Sequence, residues 1–176
     1  MALDVELTTV RGRWLRHTPA GVDPALRPVP ADDNRWQRGT FVDALYLCDE
    51  VACVWADWYR HLAERGIPPQ MALPRDLWSY GVDALKVGDL RTAERLARVG
   101  LPLPVPGRRG WPAFQAVGER MHADGFAGLV APSAARPENF VLCVFLPSDA
   151  LPGNLRPAGS PERVNQVPVP PTGMQT

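Results

Sequence analysis

Apolar positions along the chain switch between two spacings, and the switches mark out its elements. From Val5 to His17 the pattern is that of an extended segment, with Val5 and Leu7 alternating and Trp14 and Arg16 resuming after Gly12; Pro19 ends it. A loop with four prolines by Pro30 follows (PAGVDPALRPVP), and Asp32-Asp33-Asn34 closes it with turn-forming side chains. Phe41–Leu47 reads as a second strand, with Asp49 as the expected N-cap of a helix. In that helix Val51, Val54, Trp55, Trp58 and Leu62 recur on one stripe, and Gly66 and Pro68-Pro69 stop it. Asp57 falls on the flank of the stripe, one turn before His61.

Alternation returns between Leu77 and Val87, where Trp78, Tyr80, Val82 and Ala84 are set against Ser79, Gly81 and Asp83, as in a half-buried strand. Thr92–Val99 predicts a short helix halted by Gly100 and Pro102. After the stiff loop PLPVPGRRGWP, Pro112 suits the first turn of another helix, whose inward face is Phe114, Val117, Gly118 and Met121. Gly128–Ala131 and Asn139–Leu146 are two final strands, the second (FVLCVFL) apolar enough to be central in a sheet. These elements predict one mixed domain over residues 1–147, with helices inserted between strands. Residues 148–176, rich in Pro, Gly, Ser and Asn, are expected to form a mobile tail.

Composition narrows the functional classes. A length of 176 residues fits one core. Nineteen basic residues balance 19 acidic ones, so no global field draws nucleic acid or anionic lipid, and any anion site must be local. Direct nucleic-acid binding and membrane association are not expected. The N-terminus lacks a signal-peptide pattern, which predicts a cytoplasmic protein. Three cysteines without a CxxC pair make neither a disulfide framework nor a zinc site. His17, His61 and His122 lack metal-ligand spacing, so no metal is expected. There is no GxSxG elbow and no glycine-rich phosphate loop.

What remains is a scattered set of polar residues. Arg16 and Arg35 each stand near an aromatic (Trp14, Trp36) and could clamp a diphosphate through paired N–H donors. Taken alone, they read more readily as solvated arginines. Asp57 alone reads as an exposed helical carboxylate paired with Arg60 or His61. Ser133, in APSAAR between the last two strands, reads as a turn serine. Trp55 and Trp58 lie on the apolar stripe and belong to the core.

Taken in order, these segments resemble the RES domain family, the toxin halves of RES–Xre toxin–antitoxin pairs, named for an arginine, a glutamate and a serine. RHTPAG matches its first motif and places Arg16 and His17. NRWQRG matches a glycine-arginine-tryptophan turn and places Arg35 and Trp36. ALYLCD gives Tyr46, and the family glutamate falls on Asp57. WPAFQAVGERMHADGFAGLVAPSA matches a glutamine-x-x-glycine helix followed by a strand and a Pro-Ser turn. The likeness runs from about Arg13 to Leu146 and implies a split sheet like that of ADP-ribosyltransferases around an NAD cleft. It also implies cleavage of the nicotinamide–ribose bond with phosphate, water or a protein as acceptor, and a helix-turn-helix (Xre-type) antitoxin as partner.

In that scheme Arg16 and Asp57 are catalytic, while His17, Arg35, Trp36, Tyr46 and Ser133 bind the NAD. Three departures stand out. His17 replaces the usual tyrosine, Asp57 replaces glutamate, and Pro112 stands where the family has serine, leaving Ser133 as the substitute. They define an alternative: a RES-fold protein that binds NAD or a partner without turnover.

Overall fold

The computed structural model describes residues 3–25, 27, 29–146 and 150–176, and its elements follow the switches of spacing closely. Among the described residues, seven strands and three α-helices occur in the order β1 (Leu7–Pro19), β2 (Asp43–Cys48), α1 (Val51–Arg65), β3 (Arg75–Asp89), α2 (Ala93–Arg98), α3 (Trp111–Ala123), β4 (Gly128–Pro132), β5 (Phe140–Leu146), β6 (Leu155–Pro157) and β7 (Glu162–Val164), with one 3-10 turn at Pro69–Ala72. This is a single α+β domain with a mixed sheet. All strand pairings are antiparallel except β3 with β4.

Two subsheets share that sheet. One is the long β1–β3 ladder, with β6 and β7 added to β3; the other is β2–β5–β4. They join at narrow seams: the single pair Leu15↔Cys48 between β1 and β2, and Gly88↔Leu129 with Asp89↔Val130 between β3 and β4. Because β3 pairs with both β1 and β4, the five strands β1, β2, β5, β4 and β3 close on themselves. Val10, Trp14, Leu45, Tyr80, Val87, Leu142 and Val144 fill the inside. Residues 142–146 of β5 are all buried because their even positions face this interior while Cys143 and Phe145 face α3. The central placement expected of that strand holds, between β2 and β4.

On the outer faces α3 packs Phe114, Val117 and Met121 against β4 and β5, and α1 packs Val54, Trp55, Trp58 and Leu62 against Leu15, Cys48 and Leu77. Val51, expected on the α1 stripe, is 40% exposed in the first turn. Gly66 ends α1 at φ 64°, the left-handed geometry that glycine adopts without strain. Thr92 caps α2 by accepting the N–H of Arg95.

Asp49 does not cap α1. Glu50 occupies that position without a side-chain bond, and Asp49 Oδ2 instead accepts the N–H of Phe140 at 3.0 Å, tying β5 to the start of the helix. The alternation expected across β3 also breaks. The β1 partner steps from Gly12 to Val10 while β3 steps from Val82 to Leu85, so Asp83 and Ala84 bulge, with Ala84 at φ 55°. The bulge turns Leu85 and Val87 inward beside Val82, and it leaves Ala84 only half-buried. Beyond the described β5, residues 150–176 carry β6 and β7, and their last stretch crosses the surface near α1 and the β4–β5 turn. Tyr59 donates its hydroxyl to Pro168 O, and the N–H of Gln175 donates to Ala135 O.

Candidate functional site

Past the Leu15↔Cys48 seam β1 and β2 part, and a cleft opens between them. It is walled by Arg16, His17, Thr18 and Pro19 from β1, by Asp43, Ala44 and Tyr46 from β2, and by Asp57 and His61 from α1. Two chambers of about 210 and about 720 Å³ adjoin here, with Arg16, Tyr46, Asp57, His61 and Trp111 in the walls of both. That size is in the range of small-molecule sites, roughly 300–1,000 Å³. The smaller chamber is the more polar, with Arg27, Arg35, Trp36, Gln37 and Arg60 in its wall. The larger one continues over Val54, Trp58, Leu62 and Ile67, with Arg65, Arg75 and Arg108 added.

Of the seven residues singled out from the sequence, six reach this cleft. Arg16 and Asp57, 41 positions apart in the chain, line both chambers. Arg16 is half-buried rather than solvated. One Nη donates to Pro24 O at 3.1 Å, and the Tyr80 hydroxyl donates to the same carbonyl at 2.6 Å. Burial pulls its pKa below the usual arginine range, and neighbouring Arg27 adds to the effect. Arg35 is also buried. It donates to Val105 O at 2.7 Å and lies 5.2 Å from the Phe114 ring centroid. Burial, with Arg60 nearby, lowers its pKa to about 10.

Asp57 pairs with Arg60, as its position on the helix suggests, yet it also faces the cavity. Arg60 is held between Asp57 and Glu64. Burial works against its charge, but the two carboxylates outweigh burial and raise its pKa. His61 follows, with its pKa lowered by burial and by Arg60.

His17 lies in the larger chamber, stacked on Trp55 at 5.7 Å and 15°, with Nδ1 accepting from Arg75. Burial and the charges of Arg75 and Arg16 keep its pKa well below 6.5. Tyr46 is half-buried and lines both chambers. Its hydroxyl donates to Gln37 Oε1 at 2.6 Å and accepts the N–H of Trp36 at 3.2 Å, and burial raises its pKa well above the ordinary value. Trp36 meets Phe114 edge to face at 5.1 Å.

Ser133 is the exception. Pro132 and Ala134 line the smaller chamber, but Ser133 Oγ accepts the N–H groups of Ala135 and Arg136, both at 3.2 Å, inside its own turn. It is a turn serine here, and the cavity wall does not include it.

The sequence reading missed Arg27, Arg60, Arg75, His61 and Trp111 as wall residues. Arg27 donates to Asp43 Oδ2 at 2.6 Å. Arg75 sits by His17 because β1 and β3 pair in the register Pro19↔Arg75, and burial with Arg16 lowers its pKa to about 10. Among the described residues, seven arginines and four aspartates line the cleft, although the chain is neutral overall. Burial and mutual repulsion disfavour the charged form of three of those arginines, Arg16, Arg35 and Arg75. Among the described residues no group of three or more His, Cys, Asp or Glu side chains could hold a metal ion. Among them also, no helix is long and apolar enough to cross a membrane.

Comparison with known proteins agrees with this fold. A family model described as RES domain matches residues 8–160. No curated protein matches the chain by sequence. Among solved structures, a chain in the crystal structure of the M. tuberculosis MbcT–MbcA toxin–antitoxin complex is similar in fold. Its TM-score is 0.71 at 23% identity, and the match covers 90% of this chain and 87% of that one.

Proposed function

Because the chain belongs to the RES domain family, we propose that it is the toxin of a toxin–antitoxin pair and consumes NAD by breaking the bond between nicotinamide and ribose. The observation that carries this reading is the meeting of Arg16, Arg35 and Asp57 in the wall of one cleft. Breaking that bond leaves positive charge on the ribose, as in glycoside cleavage, and a nearby carboxylate stabilises it. Asp57 supplies that charge or holds a ribose hydroxyl. Arg16 and Arg35 supply paired donors for the diphosphate, whose negative charge offsets the crowding of guanidiniums. Tyr46 and His17 offer ring faces to the base or the sugar. Water, phosphate or a protein side chain then takes the ADP-ribose.

The similarity in fold to a chain of a toxin–antitoxin complex supports a protein antitoxin as partner, and we assign it to the helix-turn-helix (Xre) type. The site needs no metal in this scheme, and the protein acts in the cytoplasm.

A second reading is binding of NAD without turnover. The commitment of Ser133 Oγ to its own turn favours it, with Pro112 standing in the first turn of α3 where the family has serine.

Incubating purified protein with NAD and following nicotinamide release decides between the two readings. Release, with ADP-ribose or its phosphorylated or protein-linked form as co-product, supports the enzyme. Saturable binding without release supports the second reading, and a protein that neither binds nor consumes NAD overturns both.

A further inference from the structure

The tip that presents Arg35 to the cleft is a tight turn closed by two backbone bonds. Asn34 N–H donates to Gln37 O at 2.9 Å, and Gln37 N–H donates to Asn34 O at 3.4 Å. Both carbonyls receive a second donor from a distant element. Gln115, 8% exposed on α3, points Nε2 at Asn34 O (2.9 Å) and Gln37 O (3.5 Å). One turn along the helix, Gly118 presents no side chain, and a Cβ there would lie 1.9 Å from Trp36 O. Glutamine and glycine three positions apart therefore do one job, since the carboxamide grips the turn and the missing methyl lets its backbone seat against the helix.

The grip reaches the cleft by two routes. Through the backbone it fixes Arg35, whose guanidinium spans from the Phe114 face to Val105 O. Through Gln37 it fixes Tyr46, whose hydroxyl takes both the Gln37 carboxamide oxygen and the Trp36 N–H.

We propose that Gln115 is a positioning residue for nucleotide binding, which holds the 34–37 turn so that Arg35 is set for the diphosphate. This rests on the NAD reading of the cleft. Gln115 is not in the cavity wall and touches no substrate, so its contribution passes wholly through the turn. Interactions that align a binding group ahead of the ligand appear in KM more than in kcat when the group binds ground state and transition state alike.

The test is a double-mutant cycle on the full chain with NAD as the probe. Gln115→Met keeps length and apolar packing, and Gln115→Leu keeps the packing at a shorter length; neither can donate to the two carbonyls. Both carbonyls retain their turn bonds, so the fold is expected to survive. The expected result is a rise in KM of about tenfold with kcat within about twofold, a pattern that loss of folded protein does not produce. In an Arg35→Ala background the same substitutions are expected to raise KM by no more than about twofold, because only the route through Tyr46 remains. An equal KM rise in both backgrounds, or none in either, overturns the positioning role while the cleft reading stands. A wild-type protein that neither binds nor consumes NAD overturns the cleft reading and this role with it.

Discussion

Asp57 and Arg60 hold each other across one turn of α1, with Asp57 Oδ1 at 3.3 Å from both Nε and one Nη of Arg60. Glu64 takes another Nη at 2.7 Å, so the guanidinium is fixed from two sides and the acid is oriented before any ligand arrives. Asp57→Asn keeps the shape and removes the charge. It is expected to lower NAD consumption by about 10²–10³-fold, the usual cost of removing one preorganised electrostatic group. Nicotinamide release by chromatography measures this, and a variant within a few-fold of wild type would remove Asp57 from the chemistry.

Arg16, Arg35 and Arg75 all have their charged forms disfavoured by burial and by neighbouring arginines. An anionic ligand relieves that repulsion and should stabilise the fold. At 100 times its Kd a ligand adds about 2.7 kcal/mol, which in a chain of this size is a rise of roughly 5–10 °C in Tm. ADP-ribose is expected to give that rise in a thermal melt and Arg16→Met to reduce it. A flat response of the wild-type protein at millimolar ADP-ribose contradicts an anion cleft.

His17 and His61 both have lowered pKa values, through burial first and then through Arg75 and Arg16 for His17 and Arg60 for His61. In the unfolded chain both protonate near pH 6.5; in the folded protein they stay neutral to lower pH. The unfolded state therefore binds more protons below pH 6.5, and stability present above that pH declines as the pH falls through the window beneath it. Two such groups give a slope of up to about 2.7 kcal/mol per pH unit. Urea unfolding at pH 7.5, 6.5 and 5.5 measures it. His17→Gln, which keeps an acceptor for Arg75, is expected to remove about half of the slope; an unchanged slope would show that His17 titrates normally.

Gly118→Ala puts a methyl carbon 1.9 Å from a backbone oxygen, which cannot swing aside as a side chain would. Overpacking of that kind costs typically about 1–3 kcal/mol. The expected result is a Tm lower by roughly 2–12 °C, together with weaker NAD binding because the turn bearing Arg35 must shift. An alanine variant with wild-type Tm and affinity would show that α3 and the turn separate freely.

Deleting residues 165–176 removes the bonds from Tyr59 to Pro168 O, from Arg136 to Thr172 O and from Gln175 N–H to Ala135 O. At about 0.5–1.5 kcal/mol net each, the loss is expected to be roughly 1.5–4.5 kcal/mol in urea unfolding. A truncated chain as stable as the full one would mean that this segment behaves as the tail its composition suggests.

Much of the fold was legible because local chemistry wrote it. The α1 stripe from Val54 onward, Gly66, Thr92 and Pro112 each act within a few residues of their own position, and all stand where the sequence put them. The phase of β3 was not legible. Its bulge lies at Asp83-Ala84, and the left-handed residue there is an alanine, which carries no signal for that geometry. Asp49 misled for a similar reason, since its carboxylate is claimed by Phe140, 91 positions away.

The cleft divides in the same way. Arg16, Arg35, Tyr46 and Asp57 could be picked out because they sit in short recognisable strings. Arg75 could not, because only the β1–β3 register brings it to His17. Ser133 looked eligible by its turn, but nothing in the sequence reveals that its oxygen is already committed to two backbone N–H groups.

A neutral chain with seven arginines and four aspartates around one opening must carry the compensating negative charge on the rest of its exterior. Diffusing polyphosphates thus meet a local excess of positive charge at that opening, which favours approach from its side. Counter-ions mask such a lopsided field beyond about 8–10 Å at ordinary ionic strength. Added salt should therefore slow ligand arrival far more than it hastens departure.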